Sequence, residues 1–384
     1  MSKKKIIIKQ VYPIIIKKAK RISKPYSAIS LFSGLGGDSL GLKKAGCKVI
    51  AYNEIDNVFC KSHDKNFPDC EKIQENNTND ITKISDETIL KYNGKVDIIF
   101  AGFPCQGFSN AGKKMDNDPR NTLFREFLRF ARLTQPSMII GENVKGLLSR
   151  KTSSGEPYID VIVSEFKNLD YDVEFKVLKT EKYGVPQKRE RLIIIGTKKD
   201  NSYKWIPKFP EEINVIPNLQ NIIKYDMKNT LKVDKKLFEN IPNECIISNS
   251  EDKNNYLQDN GAHPYLKRLY NADQTLRSYD GKIHDNLFSF GKRASPIHAE
   301  IIDIRNPSKT IICSYDHQPR FFVPIQNNSG CYLRHILPDE LKQIQGFPSD
   351  YYIEGNDKQK IVQVGNAVPP PLIENIVKNI IMKK

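Results

Sequence analysis

The 384-residue chain has no CxxC pair, no long apolar run and no acidic residue before Asp38. Its seven cysteines (Cys47, Cys60, Cys70, Cys105, Cys245, Cys313, Cys331) are odd in number and widely scattered. That pattern excludes a disulfide framework and a zinc ribbon and fits a reducing compartment. The opening "MSKKKIIIKQVYPIIIKKAKR" holds only three-residue apolar runs, broken by Lys, Gln and Pro. It lacks the continuous apolar stretch of a signal peptide, and no later segment is long enough to span a bilayer. A cytoplasmic protein without membrane partner or bound metal is expected. There is no internal repeat, and no low-complexity tract beyond the basic start.

What is present is ordinary for a folded chain, with 39% hydrophobic and 27% charged residues. The length allows a substantial core and two domains. Sixty Lys and Arg against 45 Asp and Glu give a net charge of +15. Such a surplus favours a polyanion, nucleic acid before an acidic membrane surface, although a solvated Lys-rich surface gives the same number.

Residues 1–27 read as a basic arm. From Ala28 the pattern is strand ("AISLF"), glycine turn ("SGLGG") and helix ("DSLGLKKA"). Five further strands follow in "KVIAYNEID", "VDIIFAGF", "SMIIGEN", "YDVEFKVL" and "RLIIIGT", with helical segments between several of them. Ile- and Val-rich strands alternating with helices predict an α/β domain over residues 28–200, a mostly parallel Rossmann-like sheet covered on both faces. Residues 201–355 turn rich in Asn, Lys and Pro, with strand-like pieces such as "KTIICSY" and "RFFVPI", and read as a smaller, irregular second domain. In residues 356–384 a proline run sits where it can open a terminal helix.

"LFSGLGGDS" resembles a cofactor-binding turn, since glycines let the backbone approach a ligand at the carboxyl edge of a sheet. It lacks the GxGxxG spacing, so NAD is not the obvious ligand. Glu54 and Asp56 end the second strand, where a carboxylate can accept from ribose hydroxyls, and Asp80 should lie at the next strand position. A glycine turn with one downstream acid also occurs in many structural loops. "GFPCQGFSNAG" places Cys105 after a buried strand, at the same edge. A free cysteine is usually a small buried side chain, but loops at that edge carry function. "GENVKG" brings Glu142 there, and "YGVPQKRERLIII" brings Gln187, Arg189 and Arg191. Together these supply a nucleophile, an acid and two anchors for an anion or a carbonyl.

The motifs "FSGLGG", "NEID", "GFPCQGFS", "ENV", "QKRER", "LKQIQGFP" and "QVGNAVPP" occur in the order and spacing of the DNA (cytosine-5) methyltransferase family, which the chain therefore resembles over residues 28–200 and 333–384. The resemblance implies methyl transfer from S-adenosyl-L-methionine to carbon 5 of a cytosine flipped out of double-stranded DNA. By the same resemblance Cys105 is the nucleophile that adds at carbon 6, and Glu142 assists at N3. Arg191 contacts the cytosine carbonyl, and Arg189 supports the site and the phosphate backbone. Phe32, Gly34, Gly36, Gly37, Glu54, Ile55, Asp80, Pro104 and Asn366 match the cofactor pocket. Residues 201–355 become the target-recognition domain, and the chain end returns to the first domain. Thr310-Ile311 resembles the family's recognition-domain Thr-aliphatic pair. Gln187, Arg293, Arg305, Gln318 and Arg320 are candidate DNA contacts, because Arg suits guanine and Gln suits adenine. "RHILPDE" departs from the commoner "RRLTPRE" through Leu337 and Asp339. The expected setting is the modification arm of a restriction system, as a monomer, with a cognate endonuclease acting on the same site. RNA methylation, a catalytically silent DNA-binding relative and a nicotinamide dehydrogenase are the alternatives. The intact Cys105, Glu142, Arg189 and Arg191 set weighs against the last two.

Overall fold

A computed structural model describes residues 25–104, 123–152, 154–254, 256, 288–293, 299–315 and 320–382. Cys105, Gln318 and most of the basic arm lie outside the described residues.

Eight strands occur up to residue 198: β1 Ser27–Leu31, β2 Lys48–Asn53, β3 Glu71–Lys72, β4 Ile98–Ala101, β5 Met138–Val144, β6 Tyr171–Lys179, β7 Gln187–Lys188 and β8 Glu190–Lys198. The intervening helices are α1 Gly37–Lys44, α2 Asn57–Asn66, α3 Asp86–Leu90, α4 Leu123–Thr134 and α5 Tyr158–Lys167. Seven of these strands form one sheet in the order β3-β2-β1-β4-β5-β8-β6. The central stretches of its inner strands are mostly apolar because successive side chains feed two separate cores. Ile29, Ile99, Ile139 and Ile194 pack with Phe127, Phe130, Ile162 and Phe166 of α4 and α5. Ala28, Ile98, Ile140, Ile193 and Ile195 pack on the opposite side with Leu42 of α1.

The chain runs outward from β1 to β2 and β3, then returns to β4 on the other side of β1. This reversal opens a crevice at the carboxyl ends of β1 and β4, the position where open α/β sheets bind ligands. β8 departs from the parallel pattern and runs antiparallel to both β5 and β6. The reversal has a direct consequence for the site. In a parallel arrangement the start of the strand carrying Arg191 would lie at the far edge from Glu142. Because β8 is reversed, Arg191 sits opposite Val144, beside Glu142, at the carboxyl edge.

A second sheet is more regular than its Asn- and Lys-rich composition foretells. It holds β9 Thr230–Val233, β10 Ile247–Asn249, β11 Phe288–Phe290, β12 Ala299–Ile301, β14 Phe321–Asn327 and β15 Gly330–His335. "KTIICSY" is not a strand along its length. Only Ser308–Lys309 (β13) pairs, in a two-residue ladder with β7. The final helices are α6 Pro338–Ile344, α7 Asp357–Asn366 and α8 Pro370–Ile381. α6 and α7 contribute Leu341, Ile344, Ile361 and Val364 to the core of the second sheet. α8 opens on Pro370 and lays Leu372, Ile373, Ile376, Val377 and Ile380 into the core of the first sheet, beside α1. Among the described residues no helix is long and apolar enough to cross a membrane.

Arg334 is fully buried and chelates Glu340 at 2.7 and 2.8 Å, while also donating to the carbonyls of Lys224, Asp226 and His335. Glu340 reaches back to accept from the Leu337 N–H at 2.9 Å. Leu337 has no side-chain acceptor, so the departure from Thr removes one half of a reciprocal cap and leaves the other half to Glu340. Asp339, the other departure, is exposed and pairs with Lys342.

Candidate active site

β1 ends in a turn that a chain of ordinary residues could not make easily. Phe32, Gly34 and Gly36 have φ of 55, 57 and 91°, in the left-handed region that costs glycine least. A Cβ on Gly37 would lie 2.0 Å from the Val368 carbonyl oxygen, so the segment before α8 closes directly on the turn. Glu54, just past the end of β2, is buried and holds the turn from below. One carboxylate oxygen accepts from the Gly34 N–H at 2.8 Å and the other from the Asp56 N–H at 2.9 Å. Burial raises the Glu54 pKa, and these two backbone donors oppose the rise. Ile55 beside it is 67% exposed, a large apolar side chain standing free at the same edge. Asp80 is half-buried; burial works against its charge, but bonds from Thr82 and attraction to Lys83 leave its pKa lowered. A buried ribose-type acceptor, an exposed apolar platform and a second carboxylate fit an adenosine group in chemistry.

At the neighbouring strand ends, the Glu142 carboxylate meets Arg191 Nε at 2.7 Å, both side chains being close to nine-tenths buried. Burial lowers the Arg191 pKa, and Glu142 opposes that shift. A Cβ on Gly102 would lie 3.8 Å from Glu142, so the root of the cysteine loop is within van der Waals contact of the acid. Asn143, which the motif reading passed over, donates to the Phe103 carbonyl at 3.1 Å and accepts from the Val144 N–H. It thereby ties the end of β5 to the residue before Pro104. Pro104 is half-buried, and Cys105 follows it outside the described residues.

Arg189 is buried and faces no carboxylate at bonding distance. Its two terminal nitrogens donate to the carbonyls of Ile311 and Gly365 at 3.0 and 3.1 Å, and its Nε has no partner among the described residues. Burial, then the neighbouring Arg191, push its pKa down to about 9. This geometry makes it a strut under the site. Asn366, the next residue after Gly365, is exposed at the end of α7.

Gln187 needs correction as a DNA contact. It is fully buried, and its amide accepts from the Ile311 N–H at 3.0 Å and donates to Gln345. With no exposed surface, the amide cannot reach a base edge. Arg305 is exposed, and its guanidinium is paired with Asp303 at 2.9 Å and Glu244 at 2.8 Å. Arg293 is exposed at the end of β11, and Arg320 is half-buried at the start of β14. Thr310 is exposed and donates to the Lys188 carbonyl at 2.7 Å. Thr310, Lys145, Lys179, Lys188, Glu190 and Arg191 line a cavity of about 500 Å³ beside the Glu142–Arg191 pair. That size and the excess of cations suit a nucleotide with its phosphate. Among the described residues no cluster of His, Cys, Asp or Glu could hold a metal ion.

Asp38 carried no signal in the motif reading beyond its place after the glycines. It is 1% exposed and accepts from Ser30, and burial pushes its pKa from 3.8 up to about 7, against its hydrogen bonds. The native state therefore holds a proton that the unfolded chain releases, and stability falls as pH rises from about 4 to about 7. Asp38→Asn keeps the volume and an acceptor without the buried charge. Its gain in stability over the wild type should be roughly 2–3 kcal/mol larger at about pH 8 than at about pH 5. Thermal or urea unfolding at the two pH values measures the difference.

Comparison with known proteins agrees with this geometry. The family model "C-5 cytosine-specific DNA methylase" matches residues 26–382. The Type II methyltransferase M1.HphI of Haemophilus parahaemolyticus is 32% identical over 361 residues, covering 92% of this chain and 86% of that protein. M.Eco47II of Escherichia coli is 31% identical over 367 residues, covering 93% and 79%. Among solved structures, a Spodoptera frugiperda DNMT2 mutant superposes with a TM-score of 0.60 at 20% identity, covering 92% of this chain and 98% of its own. Entamoeba histolytica EhMeth gives 0.58 at 16% identity, covering 92% and 96%. These two structural likenesses bear on the fold. With the family model spanning nearly its whole length and two Type II methyltransferases above 30% identity, the chain belongs to the C-5 cytosine-specific DNA methylase family and is a DNA (cytosine-5) methyltransferase.

Proposed function

We propose that the protein methylates carbon 5 of one cytosine within a specific duplex DNA sequence, using S-adenosyl-L-methionine, as the modification arm of a restriction system. The observation that carries the reading is the Glu142–Arg191 pair at 2.7 Å, set beside the root of the Cys105 loop and across the crevice from the glycine turn. Carbon 5 of cytosine is a poor nucleophile. A thiolate from Cys105 adding at carbon 6 breaks the aromatic system and moves electron density to carbon 5. Glu142 would bring a proton to N3 and draw off the charge that this addition creates. Arg191, held by Glu142 through its Nε at 2.7 Å, would present a cation to the ring carbonyl.

S-adenosylmethionine, bound over the glycine turn, supplies an electrophilic methyl group. Glu54 would hold its ribose, Ile55 would cover the adenine ring and Asp80 would meet the adenine amino group. Once carbon 5 carries the methyl, its proton leaves to a base and the Cys105 thiolate is expelled, restoring the ring. None of this chemistry can reach a base inside a helix, so the target must leave the stack, at a cost of a few kcal/mol. The cation-rich 500 Å³ cavity beside the pair has room for the extruded nucleotide.

Bisulfite sequencing of DNA from cells expressing the gene should show one protected cytosine in one short sequence. In parallel, labelled methyl groups should enter plasmid DNA and not tRNA. Label confined to tRNA, or a genome without protected cytosines, would overturn the reading.

A further inference from the structure

We propose that Tyr351 is a positioning residue for the cofactor turn, holding Leu35 and Gly36 in the one conformation that accepts S-adenosylmethionine. The inference rests on the turn being the S-adenosylmethionine site. The Tyr351 hydroxyl donates to the Leu35 carbonyl at 2.6 Å and lies 3.4 Å from the Gly36 carbonyl. Its ring is buried against Phe347 and Phe67, with centroids 4.8 and 6.4 Å away. A Cβ at Gly36 would come within 2.8 Å of the hydroxyl, so phenol and turn are packed against each other without slack.

Tyr351 is itself immobilised from behind. Tyr352 exchanges two backbone bonds with the Asn66 side chain, at 2.9 and 3.1 Å. Two residues later, the Glu354 N–H donates to Ser62, which in turn bonds Gln363 at 2.5 Å. The segment following α6 is thus stitched to α2 at its back and touches the turn at its front. Burial raises the phenol well above its ordinary range, so it remains a neutral donor.

The turn needs such a tether because of its composition. Gly34 and Gly36 already occupy left-handed φ, and glycine populates several alternatives at similar energy. The N–H of the Leu35–Gly36 peptide donates to the Ser33 carbonyl at 2.9 Å, and the phenol adds a second anchor at the peptide's carbonyl end. Without it the Leu35 carbonyl is released and the turn samples other conformations. The apparent dissociation constant then rises by the inverse of the competent fraction.

Isothermal titration of the full chain with S-adenosylmethionine compares wild type, Tyr351→Phe and the control Tyr352→Phe, whose hydroxyl is exposed and bonds only Glu354 among the described residues. Tyr351→Phe should weaken binding about fivefold to tenfold, the effect of losing one buried hydrogen bond. KM for the cofactor should rise by the same factor, with kcat and KM for DNA unchanged. Amide hydrogen exchange at residues 36–38 should accelerate in the cofactor-free variant. A merely structural defect would instead lower the active fraction and kcat together. Unchanged affinity and exchange in Tyr351→Phe, or an equal loss in Tyr352→Phe, overturns the inference while leaving the cofactor reading intact. A wild type that does not bind S-adenosylmethionine overturns both.

Discussion

Replacing Cys105 by alanine should reduce kcat for DNA methylation by at least about 10⁴-fold, in line with the loss of a covalent nucleophile elsewhere. Five of the other six cysteines are poorly suited to substitute. Burial pushes the thiols of Cys47 and Cys70 up to about 12 and those of Cys60 and Cys245 up to about 11, far from the thiolate that attacks a ring carbon. Cys331 is raised as well. Cys313 is exposed, and its backbone lies against Gly365 close to the site, so it is the thiol to test as a rival. DNA carrying 5-fluorocytosine separates the two. Attack at carbon 6 and methylation at carbon 5 can proceed, but fluorine cannot depart as a cation, so the sulfur–carbon bond persists. The wild type and Cys313→Ser should form a denaturation-resistant complex with such DNA in the presence of cofactor, and Cys105→Ala should form none. Undiminished turnover in the alanine variant, or an adduct mapped to Cys313, would falsify the assignment.

How the site could be read from sequence differs from residue to residue. Cys105, Glu142 and Arg191 stand in motifs whose order carries the resemblance, and Glu142 and Arg191 do meet in space. The apolar alternation of the inner strands is equally plain, because each residue feeds one of two cores. The reversal of β8 was not legible. An antiparallel strand with both faces buried has the same Ile-rich run as a parallel one, and only the need to bring Arg191 beside Glu142 betrays it. Gln187 shows a second limit. Residue type gives the bonds a side chain is able to make, but not whether a buried backbone N–H has already taken them. Asp38 bonds Ser30 of β1 beside the glycine turn, and Tyr351 bonds the turn itself from more than 300 residues away. Neither carries a signal separable from ordinary helix-start or core residues.

The same tertiary logic bears on the contacts beside the active site. Among the described residues these joints include Thr310 on Lys188, Ile311 on Gln187 and Arg189, and Cys313 against Gly365. Each hydrogen-bonded joint pairs a side chain with a backbone group: the Thr310 hydroxyl with the Lys188 carbonyl, and the Ile311 N–H and carbonyl with the Gln187 and Arg189 side chains.

Glu142→Gln should lower kcat by about 10²–10⁴-fold, the range set by removing a general acid. The substitution is close to isosteric, and the amide oxygen can still accept from Arg191 Nε, so the geometry at 2.7 Å need not change. Lost is the capacity to carry a proton to N3, without which the electrons displaced by sulfur have nowhere favourable to go. The defect should therefore appear in the covalent step. Adduct formation with 5-fluorocytosine DNA should slow in parallel with kcat, while cofactor affinity remains at the wild-type level. Base extrusion, followed by 2-aminopurine fluorescence at the target position, should persist, since it depends on the cavity and not on the acid. Removing Arg191 instead would leave a nearly buried carboxylate without its partner, at a cost of about 3–5 kcal/mol, and would confuse loss of fold with loss of chemistry. Glu142→Gln avoids that confusion, and its unfolding midpoint should stay near the wild type's. If its kcat lay within a few-fold of the wild type's, proton delivery at N3 would have to come from another group, and the pair would be a structural tie between β5 and β8.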